Sequence, residues 1–108
     1  MCTSIVEIAE ADGMAKRESE WFDLTHAVVA YDHARHALLD DAITIDFVSE
    51  QLPAGNRAAV ELTLDSAKAL HAALGRAIAA AEEEERERAQ SIARQAIARQ
   101  RSTSAAAA

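Results

Sequence analysis

The sequence predicts an α+β fold in which a small antiparallel sheet of about four strands is packed by one long C-terminal helix. Between residues 4 and 62, short segments alternate apolar and polar side chains, which is the period of half-buried strands. From Thr63 onward, apolar residues recur every three or four positions, as on one face of a helix. The length of 108 residues argues for one small core.

The first strand is predicted over residues 4–9, because Ile5, Val6 and Ile8 form a short β-prone run. A turn at residues 11–13 follows it, and the polar stretch 14–20 is expected to be a loop or a short extension of the strand. The second strand is predicted over residues 21–33. Apolar residues lie on both of its faces, which indicates an interior position in the sheet.

The third strand is predicted over residues 42–48, with Ile43, Ile45 and Phe47 facing the core. A turn containing Pro and Gly follows at residues 51–56, and the fourth strand is predicted over residues 57–62. In this fourth strand Val60 faces in and Glu61 faces out. Four strands in succession favour antiparallel pairing.

The helix is expected to begin after Thr63, a good N-cap residue. Its apolar stripe consists of Ala67, Leu70, Leu74, Ile78 and Ala81. Beyond residue 81 the stripe stops, and pairs such as Glu82–Arg86 and Glu84–Arg88 have the i,i+4 spacing that sustains a solvated helix. A helix continuous from residue 64 to 101 is on the order of 55 Å long.

These patterns divide the chain into a domain at residues 1–81, a charged helical extension at 82–101 and a disordered tail at 102–108. Within the extension a weaker apolar pattern returns at Ala89, Ile92, Ala93, Ala96 and Ile97. The extension is therefore either solvated, frayed or packed on another subunit.

The net charge of −7 disfavours nucleic acid as a partner, because an acidic surface repels phosphate. No apolar run has the length of a membrane span, and no leader sequence is evident. We therefore expect a cytoplasmic protein that does not bind a membrane. Cys2 is the single cysteine, which rules out an internal disulfide and agrees with a reducing compartment.

Two imidazoles three residues apart, His33 and His36, lie at the end of the second strand. Such a pair can supply two ligands to a divalent transition metal, with Asp41, Asp32 or Cys2 completing the shell. The alternative is a hydrogen-bonded loop anchor without a metal. Cys2 is equally open: it either contributes a thiol beside the chain's α-amine or simply opens the first strand as a small apolar residue.

Several short motifs occur together here: Met1-Cys2-Thr3, Trp21-Phe22, Asp32-His33-x-x-His36, Ile45-Asp46-Phe47 and Val60-Glu61-Leu62. In this combination, over roughly residues 1–81, the chain resembles a family of small bacterial proteins classed as a domain of unknown function. The resemblance implies a compact domain of unassigned activity. The family pattern commonly has a further His five residues after the second one, where this chain has Asp41.

No serine-protease-like spacing, nucleophile elbow or dinucleotide fingerprint is present, and three glycines leave little material for a phosphate-binding loop. Two function classes remain. The first is an accessory or self-associating protein that uses its sheet edge or long helix to bind a second copy or another protein. The second is a small metal-binding protein or metal-dependent enzyme centred on His33 and His36.

Overall fold

The computed structural model describes residues 5–51 and 57–107, with side chains described to residue 103. The elements are β1 (Ile5–Arg17), β2 (Glu20–His33), β3 (Asp41–Val48), β4 (Arg57–Leu62) and α1 (Leu64–Ala107). The strands form one antiparallel sheet in the order β1-β2-β3-β4. The predicted α+β class and the interior position of β2 are confirmed. Contacts group the chain into two compact units, residues 1–69 and 70–108.

Strand β1 is longer than the strand predicted over residues 4–9, and the predicted turn at 11–13 was wrong; of the two alternatives for residues 14–20, residues 14–17 extend the strand. The chain stays paired with β2 as far as Arg17, and the register shifts between Glu10 and Gly13. Ala11 and Asp12 thus lie opposite Thr25 alone, which makes a β-bulge. Residues 14–17 lack an apolar pattern because an edge strand exposed on both faces does not require one.

Register places a nearly continuous set of apolar side chains, drawn from all four strands, on one face. Three rows cross the sheet, and eleven of their twelve residues are apolar; the rows are Ile5, Tyr31, Ile43 and Leu62, then Glu7, Val29, Ile45 and Val60, then Ala9, Ala27, Phe47 and Ala58. We call this the apolar face. The predicted common orientation of Ile43, Ile45, Phe47 and Val60 is confirmed.

The alternate residues of each strand form the opposite face, which we call the mixed face. Its three rows are Val6, Ala30, Thr44 and Glu61, then Ile8, Val28, Asp46 and Ala59, then Glu10, His26, Val48 and Arg57. Half of these residues are polar or charged, so the mixed face is better suited to contact with water than the apolar face is.

Burial within the described residues is shallow. The buried residues are Ala27, Ala42 and Ser49, and no large side chain is fully buried. Ile5 and Val60 on the apolar face remain substantially exposed. The described part of a single chain therefore lacks the interlocked large side chains that form the core of most small domains.

Helix α1 begins as predicted, with Thr63 as its N-cap: the backbone N–H of Ser66 donates to Thr63 Oγ1 at 3.0 Å. The helix continues past Ala81 to Ala107, so residues 102–107, which the sequence predicts to be disordered, are helical. Alanine has the highest helix propensity, which accounts for this extension. Arg86 pairs with Glu83 at 2.8 Å rather than with Glu82.

The apolar stripe of α1 is open. Leu70, Leu74 and Ile78 are each about half exposed. Packing of the helix on the sheet and the domain division at residue 81 stay predictions.

The β1–β2 hairpin closes through Glu18 and Ser19, between the paired residues Arg17 and Glu20. Glu18 has a φ of 56°, which glycine adopts without the steric cost that a Cβ brings. Replacing Glu18 with Gly is therefore expected to raise the free energy of unfolding by about 1 kcal/mol. Ser19→Gly is the matched control, because Ser19 has no positive φ and should gain nothing. Urea unfolding of the three proteins measures this, and equal effects at both positions would contradict it.

Candidate functional site

The loop between β2 and β3, residues 34–40, is held by the carboxylate of Glu61. Glu61 Oε2 accepts the backbone N–H of Arg35 at 2.6 Å, and Oε1 accepts those of His36 and Ala37 at 2.8 and 2.9 Å. Three successive N–H groups that converge on one anion form a nest, a compact backbone site for negative charge. We call this arrangement the Glu61 clasp.

The loop also closes on itself. Ala34 N donates to Asp40 O at 3.3 Å, and Leu39 N donates to Ala37 O at 2.9 Å. Leu38, at the tip, is fully exposed to solvent. The clasp therefore fixes the backbone of a short loop that presents an apolar side chain.

The hydrogen bonds of the clasp lower the pKa of Glu61. The bond from Arg35 contributes most and the bond from Ala37 follows; partial burial opposes them, and the bond and charge of His36 add to the lowering. The charged carboxylate is thus the form that the loop stabilises.

The predicted ligand His33 lies beside Asp41, as β2–β3 pairing requires. Its Nδ1 is 3.1 Å from Asp41 Oδ1, and the two residues are direct cross-strand partners. Asp32 projects from the opposite face of β2, and its Oδ1 accepts the backbone N–H of His33 at 2.7 Å. A carboxylate at Nδ1 orients an imidazole, which is an arrangement common in metal sites.

A cavity of about 260 Å³ lies under the loop on the mixed face. Its charged and imidazole lining comprises Asp32, His33, Arg35, His36, Asp46, Arg57 and Glu61. Three of the predicted metal ligands thus surround one cavity. In residues 5–51 and 57–103, however, no group of three or more His, Cys, Asp or Glu side chains is arranged to hold a metal ion. Cys2 lies outside the described residues, and the metal site stays a prediction.

Sequence reasoning missed the main contact of this region, because it assigned Glu61 only an outward orientation. Asp46 and Arg57, 4.0 Å apart across β3 and β4, were also missed. The available signal was a glutamate between Val60 and Leu62 in a strand that is otherwise apolar after Arg57. That pattern shows which face Glu61 occupies, but not that the β2–β3 loop folds over the same face.

The clasp predicts a local effect of removing the Glu61 carboxylate. In Glu61→Ala the amides of Arg35, His36 and Ala37 lose their acceptor, so their hydrogen exchange should accelerate by about an order of magnitude or more. Glu61→Gln keeps one acceptor oxygen and should show a smaller effect. Glu50→Ala, a change at an exposed glutamate outside the clasp, controls for lost charge. NMR exchange rates measure this, and unchanged rates in Glu61→Ala would contradict the clasp.

The same contact predicts a pH dependence. Because the folded pKa of Glu61 is lowered, the clasp is fully formed above the unfolded pKa and is lost as pH falls through the folded pKa. The amide shifts of residues 35–37 are therefore expected to titrate with a midpoint below the ordinary glutamate value of 4.5. A midpoint above it would show that the carboxylate is not stabilised by the loop.

Among the described residues, no helical segment has the length and hydrophobicity needed to span a bilayer.

Comparison with known proteins identifies a family for this chain. No curated protein and no solved structure matches the chain. The model of a family of unknown function, DUF6295, matches residues 1–87, which include the whole sheet, the Glu61 clasp and the start of α1. The chain therefore belongs to this family of unknown function, DUF6295.

Proposed function

We propose that the protein is a self-associating accessory protein whose hydrophobic core forms between the sheets of two copies. One observation carries the proposal: eleven of the twelve residues in the three rows of the apolar face are apolar, yet no large side chain of the described residues is fully buried. Except for Ala27, which is buried, these apolar side chains are half-buried or exposed. A contiguous apolar surface that stays open to solvent is characteristic of interaction sites.

The size of the face fits a sheet-on-sheet contact. Four strands about 4.8 Å apart, with three rows along each, give a surface of roughly 14 Å by 14 Å. Fully burying one large apolar side chain contributes about 1.5–3 kcal/mol, and a two-fold contact buries the same residues on both copies.

A second copy is a suitable partner because a two-fold contact joins the same patch on both subunits. Two apolar faces stacked about 10 Å apart would form an ordinary β-sandwich core. Glu7, the one charged residue in the three rows, lies on the edge strand β1, where its carboxylate can stay in water. The function we propose is therefore self-association.

Two neighbouring residues of β1 test the proposal. Ile5 is 60% exposed on the apolar face, whereas Val6 is 52% exposed on the mixed face. Ile5→Glu places a charge in the contact and should weaken association at least about a hundredfold. Val6→Glu has a similar exposure and should leave association unchanged.

Sedimentation velocity over a concentration series measures the association, and circular dichroism checks folding. A wild-type chain that stays monomeric throughout, or two variants that behave alike, would overturn the proposal. Association only with a different protein would assign the face to that partner instead.

Metal binding is a second candidate, supported by the contact between His33 and Asp41. Its ligands would be His33 and His36, with Asp41, Asp32 or Cys2 completing the shell. Zinc binding should then be lost in His33→Ala and His36→Ala. His71→Ala, at an exposed helix position, is the control. Isothermal titration with Zn²⁺ measures this, and equal affinity in all variants would exclude the site.

A further inference from the structure

The end of helix α1 is basic. Between residues 88 and 101 the chain has four arginines and neither Asp nor Glu, whereas all five glutamates of the helix beyond residue 70 lie within 82–87. The family match ends at residue 87. We call residues 88–101 the basic segment; it begins where the family match ends.

The basic segment is also amphipathic. At about 100° per residue, its apolar residues form a stripe about 140° wide. The stripe contains Ala89, Ile92, Ala93, Ala96 and Ile97; Arg88 and Arg99 border one side, and Arg94 and Arg101 border the other. Ile92 and Ile97 are at least half exposed. Among the described residues, none of these four arginines has a carboxylate within ion-pair distance.

A groove of complementary character lies on the mixed face of the sheet. It has a volume of about 780 Å³, and its lining includes the apolar side chains of Ile8 and Leu24 with the carboxylates of Glu10, Asp12 and Glu50. Ile8 is 68% exposed there. We call this the acidic groove.

The bulge in β1 builds the acidic groove. Because Ala11 and Asp12 lie opposite Thr25 alone, β1 has one extra residue between Glu10 and Gly13. As a result, the side chains of Glu10 and Asp12 both border the groove. Thr25 fixes the other side: its Oγ1 accepts the backbone N–H of Glu50 at 3.1 Å. The bulge and this bond thus bring three carboxylates around an apolar floor.

The two units of the chain also differ in net charge. Residues 1–69 contain thirteen acidic and five basic residues, a net charge of −8, whereas residues 70–108 carry five acidic and six basic residues, a net charge of +1. A basic amphipathic helix suits an acidic surface with an apolar floor. The chain's own sheet unit is such a surface.

We propose that the basic segment of one copy docks in the acidic groove of a second copy. Ile92 and Ile97 contact Ile8 and Leu24, and the bordering arginines pair with the carboxylates of Glu10, Asp12 and Glu50. The stripe from residue 89 to 97 is about 12 Å long, short enough to lie on the sheet. An anionic membrane or a nucleic acid fits less well, because the net charge of the sheet unit repels both.

This contact goes beyond the proposed function, because it uses the mixed face and the helix end rather than the apolar face. The failure of this contact can therefore be distinguished from the failure of the contact between apolar faces. Ile5→Glu changes only the contact between apolar faces. Replacing the arginines of the basic segment by Glu changes only its contact with the acidic groove.

Charge exchange in the full-length chain provides the test. One variant has Arg88, Arg94, Arg99 and Arg101 replaced by Glu; a second has Glu10, Asp12 and Glu50 replaced by Arg. Both also carry Ile5→Glu, which removes association through the apolar face. Each variant alone should associate about ten- to hundredfold more weakly than a chain with Ile5→Glu alone. Mixed together, the two variants should associate again, because their altered charges are complementary.

Sedimentation velocity detects the mixed complex, and its dissociation by raised salt would support ion pairing. Circular dichroism of each variant checks that it folds. If the mixture does not associate, or if the arginine variant alone associates as strongly as its parent, the proposal is wrong. Binding of the parent to phosphatidylglycerol vesicles, lost in the arginine variant while self-association is unchanged, would assign the segment to a membrane and also overturn it.

Discussion

The register between strands is the constraint on which the rest of this structure depends. Because side chains alternate with a period of two, a slip of one residue between β2 and β3 would move Ile45 and Phe47 from the apolar face to the mixed face. The same slip would separate His33 from Asp41 and displace β4, which carries Glu61. One set of backbone hydrogen bonds therefore decides both which surface is apolar and where the polar contacts form.

The sequence predicts the parts of the fold that follow from local pattern. Alternation in residues 42–48 and 57–62 identifies β3 and β4, and Thr63 marks the start of the helix. The same logic fails for β1 beyond residue 9, because an edge strand with both faces in water has no apolar alternation to detect. The helical end of the chain was missed for a different reason: alanine and serine without an apolar stripe resemble a tail, although alanine favours helix.

The candidate site was predictable only in part. Pairing of His33 with Asp41 follows from the two strand ends, since a hairpin connection brings the last residue of β2 opposite the first residue of β3. The clasp does not follow, because Glu61 meets the loop across 24 to 26 residues of chain. No local pattern specifies so distant a contact. The sequence therefore indicated this loop as the candidate site but not the residue that holds the loop.

The hydrogen bonds that Glu61 accepts from its loop come from main-chain N–H groups, and this has a consequence for how the family can diverge. Every amino acid except proline supplies that donor, so the identities of residues 35–37 are not what maintains the loop's conformation. Relatives could exchange these side chains during evolution and keep the same backbone, provided that the acidic residue on β4 is retained. The side chains of the loop can thus change without a change in its backbone conformation.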